Sequence, residues 1–118
     1  VKYKELSSEA GGEASGDIRK RVIEARGRQY ARFRGMHNIY NNADMGSKEV
    51  RSWCKLDSAG SELLKMAMTK LGFSARAYDR ILKVARTIAD LSGSENIDSA
   101  HISEAIQYRS LDRELWKR

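Results

Sequence analysis

The stretch from residue 71 to residue 91, LGFSARAYDRILKVARTIADL, decides the fold class of this chain. Its apolar residues recur at the three- and four-residue spacing of one helix face: Tyr78, Ile81, Leu82, Ala85, Ile88 and Ala89. Ser74 stands at the N-cap position, and Phe73 and Tyr78 have the spacing of a hydrophobic staple. The pattern therefore predicts an amphipathic helix over about 75–91.

The same periodicity extends on both sides of this helix. It predicts further helices at about 17–34, 47–55 and 58–71, and from Asp98 onward. In the 17–34 helix, the inward stripe would consist of Ile18, Val22, Ala25, Gln29 and Phe33. Gly35, Gly72 and Gly93 are expected to end three of the helices, and Ser15 or Asp17 to cap the first. The sequence contains no convincing pair of strands. The predicted fold is all-α, a compact bundle of about four to five helices.

Length and composition restrict the class of protein. A chain of 118 residues, 41% of them apolar, is long enough for one globular domain with its own core. No apolar run approaches the roughly 20 residues of a membrane span, so we expect no membrane partner. The single cysteine, Cys54, excludes a disulfide framework within the chain and favours a reducing compartment. We therefore expect a cytoplasmic location.

The first sixteen residues, VKYKELSSEAGGEASG, differ in composition from the rest. Most of them are small, polar or glycine, which is typical of a linker. The predicted organisation is a linker at 1–16 and one helical domain at 17–118, cut from a longer polypeptide.

The common catalytic and metal-binding motifs are missing from the sequence. It has neither a GxxxxGK[ST] phosphate loop nor a GxGxxG pattern. His37 and His101 lie in different segments without the spacing of metal ligands, so we expect no metal site. Cys54 lies on the predicted apolar face of the 47–55 helix, which favours a buried structural thiol over a nucleophile. We do not expect the isolated chain to be catalytic.

Arg76 is the second residue of the predicted 75–91 helix. A cation is disfavoured there by about 0.3–1 kcal/mol, because the helix N-terminus is already positive. The free N–H groups at this helix end would suit an anion such as phosphate, which Arg76 and, one turn further on, Arg80 could also contact. The alternative is a solvated face with an arginine paired to Asp79 or Glu62. Spacing alone favours this alternative.

The predicted 17–34 helix carries an excess of positive charge. Seven basic residues oppose Asp17 and Glu24, and they are Arg19, Lys20, Arg21, Arg26, Arg28, Arg32 and Arg34. Such a helix suits contact with a polyanion or an acidic partner. The alternative is a solvated face whose arginine stems cover the edge of the core. Without interleaved aromatic residues, the signal for nucleic acid is weak.

Three segments resemble the C-terminal part of the magnesium-chelatase-like AAA+ ATPases of the ComM/YifB type. They are LGFSARAYDRILKVARTIADL (71–91), AIQYRSLDR (105–113) and IRKRVIEAR (18–26) followed by Gln29 and Arg32. The resemblance covers about residues 15–113. It implies the helical lid that follows an AAA+ core, and the core would hold the Walker motifs. ATP and Mg²⁺ would then belong to the full-length ATPase, with no cofactor in the isolated domain.

The resemblance also implies roles for single residues. Arg76 matches the sensor 2 arginine, which contacts the γ-phosphate of ATP, and Ser74 and Arg80 would support that phosphate site. The basic residues Arg21, Arg28 and Arg32 would contact the AAA+ core, a neighbouring subunit of a ring, or DNA. The name chelatase suggests insertion of magnesium into a porphyrin, but the sequence offers no porphyrin pocket that we can name. The alternative function is a basic helical module that binds nucleic acid, or an adaptor, without an ATPase role.

Overall fold

The computed structural model describes the backbone of residues 14–117 and the side chains of residues 14–109. It contains five α-helices: α1 (Ser15–Phe33), α2 (Ser47–Trp53), α3 (Ser58–Leu71), α4 (Ala75–Leu91) and α5 (Ser99–Lys117). A 3₁₀ turn, Asn42–Asp44, lies between α1 and α2. The all-α prediction is confirmed. The predicted linker falls largely on residues 1–13, outside the described part of the chain.

Helix α4 is the central element of the bundle. It packs against α1, α2, α5 and the 3₁₀ turn, while α3 packs against α5. The apolar face that the sequence predicts on α4 is buried, with Ile81 and Ala85 in the core. Leu64 of α3 and Ile102 of α5 complete that core. Burial of each such Leu or Ile stabilises the fold by about 1.5–3 kcal/mol, so α4 is where the helices are held together.

The ends of the helices follow the predicted local chemistry, with one exception. Gly72 ends α3 in the left-handed conformation, with φ 65°, and Ser74 accepts a hydrogen bond at Oγ from the Ala77 N–H. Asp98 caps α5 through its side chain. The predicted cap of α1, Ser15 or Asp17, was wrong, because the helix begins at Ser15 and its N-cap residue is Ala14, which has no capping side chain.

Helix α1 packs on the bundle mainly through its C-terminal half. Ala25 and Phe33 are buried, as the predicted stripe requires. Ile18 was expected to belong to that stripe, but it is 45% exposed and Ile23 is 59% exposed. Arg28, in that half, donates to the Asp90 backbone carbonyl of α4. Among the described helices, none is both long and apolar enough to cross a membrane.

Candidate functional site

Arg76 lies in the first turn of α4 with its side chain exposed. The local alternative, an ion pair with Asp79 or Glu62, is not formed: within residues 14–109 no acceptor binds the Arg76 guanidinium. The Asp79 carboxylate instead accepts a hydrogen bond from the Ser47 hydroxyl, at 3.5 Å. Among the side chains that the structure describes, Arg76 therefore presents an unpaired cation at the positive end of the central helix.

Ser74 and Arg80 stand on either side of Arg76 in the sequence but play different parts. The Ser74 hydroxyl oxygen is occupied by the Ala77 N–H at 3.2 Å, so its first role is to begin the helix. Arg80 is exposed one turn after Arg76, at the edge of a groove between α4 and α5 that Val84 and Tyr108 also line. The two arginines thus share one side of the α4 N-terminus.

A buried ion-pair network joins α1 to the far end of α4. Asp90 is 0% exposed, and Arg32 donates to both of its carboxylate oxygens, at 2.7 and 2.9 Å. Arg86, one turn before Asp90, lies 3.4 Å from the same carboxylate. Asn42 donates from Nδ2 to Asp90 at 2.9 Å and to Thr87 at 3.0 Å. Three side chains from three elements thus contact one carboxylate, and Thr87 holds one of them, Asn42, in place.

The three basic residues predicted as a contact surface do not share one. Arg32 is largely buried in the ion pair with Asp90. Arg28 is half-buried and donates to the Asp90 backbone carbonyl, at 2.9 Å. Arg21, nearer the start of α1, is exposed. The sequence analysis missed the partner, Asp90; the signal available was an acidic residue directly after the apolar positions of α4.

Arg86 fixes the loop that follows α4. Its guanidinium donates to the backbone carbonyls of Ser94 and Glu95, both at 2.9 Å, and of Trp53 at 3.3 Å. Burial lowers the pKa of Arg86, and the neighbouring Asp90 carboxylate opposes that change. The side chain therefore holds the end of α2 and the 92–98 loop against α4.

Aromatic residues do interleave with the exposed basic side chains of α1, contrary to the sequence analysis. Tyr30 is 72% exposed and Tyr40, in the loop after α1, is 73% exposed. Both line a shallow cavity of about 180 Å³ together with Arg34. Arg26 lies one turn before Tyr30 on the same face of α1. This part of the surface combines positive charge with exposed rings.

Cys54 and His101, which could in principle act as a nucleophile and a metal ligand, are both buried and have structural roles. Cys54 is buried, and burial raises the pKa of its thiol to about 11, so the thiol is protonated at neutral pH. His101 is buried and accepts a hydrogen bond at Nδ1 from the Asp98 N–H, at 3.0 Å. Across residues 14–109, no three His, Cys, Asp or Glu side chains come together as a metal site would require.

Comparison with known proteins identifies relatives over nearly all of the chain. The family model described as magnesium chelatase, subunit ChlI C-terminal, matches residues 12–109. The competence protein ComM of Haemophilus influenzae is 45% identical over 106 residues, which is 90% of this chain and 20% of ComM. The uncharacterized protein YifB of Escherichia coli is 43% identical over 104 residues, 88% of this chain and 20% of YifB. The chain thus spans about a fifth of the length of these relatives.

Proposed function

Because this chain belongs to the magnesium chelatase ChlI C-terminal family, we propose that it is the helical lid of an ATPase. In this proposal Arg76 acts as the sensor 2 arginine and contacts the γ-phosphate of bound ATP. An AAA+ core in the full-length protein would hold ATP and Mg²⁺, and neighbouring subunits of a ring would be further partners in the cytoplasm. The lid would couple loss of the γ-phosphate to movement of the domain.

The position of Arg76 carries this proposal. An exposed arginine without an acceptor among residues 14–109 stands where the helix dipole repels it. A phosphate at that point would be attracted by both the guanidinium and the helix N-terminus. Arg80 would add a second positive charge one turn away, while Ser74 would support the site by fixing the start of α4.

The test is the ATPase activity of the full-length protein with Arg76→Ala. Removal of one donor that stabilises developing charge costs on the order of 100- to 1,000-fold in turnover, so we expect a loss of at least about tenfold. Arg51→Ala is the matched control, because Arg51 is an exposed arginine on α2. Equal activity of Arg76→Ala and wild type would reject the sensor 2 assignment.

A second candidate function, binding of single-stranded nucleic acid, is favoured by the exposed rings beside α1. Tyr30 and Tyr40 offer stacking surfaces, and Arg26 and Arg34 supply charge for the phosphate backbone. If the chain is the lid of an ATPase, such binding would link that ATPase to DNA processing. If it is not, the chain would be a nucleic-acid-binding module without an ATPase role. Arg32 would not contribute directly, because its guanidinium is already bound to the Asp90 carboxylate of α4.

This second candidate is tested by titrating the 118-residue chain with a single-stranded oligonucleotide at several salt concentrations. Loss of a stacked ring costs about 1–3 kcal/mol, so Tyr30→Ala should weaken binding by at least about fivefold. Tyr108→Ala is the control, since Tyr108 is an exposed tyrosine on α5. Arg34→Gln should reduce the salt slope by about 0.7. Equal effects of the two tyrosine variants would exclude the site on α1.

A further inference from the structure

The charges that surround Asp90 do not balance. Three guanidinium groups approach this residue: Arg32 and Arg86 at the carboxylate, and Arg28 at the backbone carbonyl. The other acidic side chain nearby, Glu95, is exposed and has no partner among the residues whose side chains are described. Even with Glu95 counted, one positive charge is in excess among the side chains of residues 14–109. A partly buried excess charge is unfavourable unless a counter-ion accompanies it.

Several donors in this cluster have no acceptor. Arg28 uses one of its five N–H groups, in the bond to the Asp90 carbonyl, and no other acceptor within residues 14–109 binds it. Arg86 is only 4% exposed, and its buried Nε also lacks an acceptor. Buried donors without acceptors are rare in proteins, because each costs about 1–3 kcal/mol. The cluster thus has more N–H donors than acceptor oxygens, and an anion would supply the missing acceptors.

These side chains line a cleft of about 600 Å³ that is open to solvent. The exposed indole of Trp53 and the 92–98 loop form its other walls. Gly93 in that loop has φ +74°, and a Cβ there would lie 3.3 Å from the Nη2 of Arg28. The glycine therefore leaves room beside the half-buried guanidinium. The cleft is large enough for a phosphate group and the nearest atoms of the molecule to which that phosphate is attached.

We propose that this cleft binds a phosphate group, with Arg28 as its principal ligand. The planar fork of a guanidinium matches two phosphate oxygens, and the group would balance the excess charge beside Asp90. The source is either a phosphate monoester, as in a nucleotide, or a phosphodiester, as in a nucleic-acid backbone. This site is separate from the proposed site at Arg76 and shares no residue with it.

The experiment measures binding to the 118-residue chain through the fluorescence of Trp53, with Trp116→Phe introduced so that Trp53 is the remaining tryptophan. The probes are inorganic phosphate, AMP as a monoester and dimethyl phosphate as a diester, at constant ionic strength set with chloride. Arg28→Gln should weaken binding of the preferred probe by about tenfold or more. Arg19→Gln, the same charge change on an exposed residue of α1, should leave binding within about twofold.

A second variant keeps the test valid if Arg28→Gln alters the fold. Asn96→Asp adds a carboxylate to the lining of the cleft without removing an arginine, and it should also weaken binding by about tenfold. Stronger binding of AMP identifies the monoester, and stronger binding of dimethyl phosphate identifies the diester; both support the site. Absence of binding, or equal loss in Arg28→Gln and Arg19→Gln, would overturn the proposal. Trp53 reports on this cleft, whereas the Arg76 proposal is tested on the full-length ATPase, so the two proposals fail separately.

Discussion

Asp90 is the residue on which the joint between α1 and α4 depends. Its carboxylate has no exposed surface and accepts hydrogen bonds from Arg32 and Asn42. A buried ion pair is not by itself a strong source of stability, because both charges lose their hydration. Removal of one partner is different, since it leaves the other charge buried and unpaired. The effect of a substitution at Asp90 should therefore be large.

We predict that Asp90→Ala destabilises the chain by about 3–5 kcal/mol. Two guanidinium groups would remain in the interior without their carboxylate. Urea unfolding followed by circular dichroism gives the free energy of unfolding. Asp79→Ala is the control and should change it by less than about 0.5 kcal/mol, because the Asp79 carboxylate has only a long contact with Ser47. Equal effects of the two substitutions would show that the network does not hold the fold.

Cys54 gives a prediction for pH dependence. Burial raises the pKa of its thiol from 9.0 to about 11, so the folded state binds the proton more tightly than the unfolded state. The contribution of Cys54 to stability is therefore complete below pH 9 and is lost as the pH rises from about 9 to 11. At pH 8 the native thiol should react with iodoacetamide at least tenfold more slowly than in urea. Equal rates in the two states would contradict the buried position of Cys54.

At the scale of the helices, the start and end of α4 could be predicted from sequence because caps are local. Ser74 and the residue it bonds, Ala77, are three positions apart, and Gly72 fixes the turn before them. The same local chemistry identified Arg76 as a cation in the first turn of α4, where a positive charge is unfavourable. Its exposure and lack of a described partner agree with that reading, and its contact with ATP stays a prediction.

The environment of α1 could not be predicted from sequence in the same way. Periodicity identified the helix, but Arg32 finds its carboxylate 58 positions along the chain, and no local pattern reveals such a pair. The expected inward position of Ile18 was wrong, because the start of α1, residues 14–21, is exposed to solvent. Sequence spacing likewise does not reveal that Tyr30 and Tyr40, ten residues apart, line the same cavity, because the loop after α1 determines where Tyr40 lies.

Two glycines test the assignment of helix ends. Gly72 has φ 65°, and alanine in that conformation costs about 1 kcal/mol or more, so Gly72→Ala should destabilise the chain by that amount. Gly27 lies inside α1, and a Cβ there meets nothing within 4 Å. Gly27→Ala should therefore stabilise by about 0.5–1 kcal/mol. Thermal unfolding of both variants gives the two signs, and destabilisation by Gly27→Ala would contradict the position of α1.

At the scale of the whole molecule, α4 connects the two regions of greatest chemical interest. Arg76 lies in its first turn and Asp90 near its last, fourteen residues or about 21 Å apart along the helix axis. The network at Asp90 joins that helix to α1 and to the loop after α4. In the proposed lid, a force on Arg76 from bound nucleotide would thus be transmitted along one packed helix to the rest of the domain.

The most direct test of this account compares the affinities of ATP and ADP for the full-length protein, before and after Arg76→Ala. Arg76 is proposed to contact the γ-phosphate, which ADP lacks. We therefore predict that the substitution weakens ATP binding by about tenfold, as expected for loss of a charge-assisted contact, and leaves ADP binding within about twofold. Unchanged affinity for both nucleotides, or an equal loss for both, would contradict the sensor 2 role and with it the proposed function of the domain.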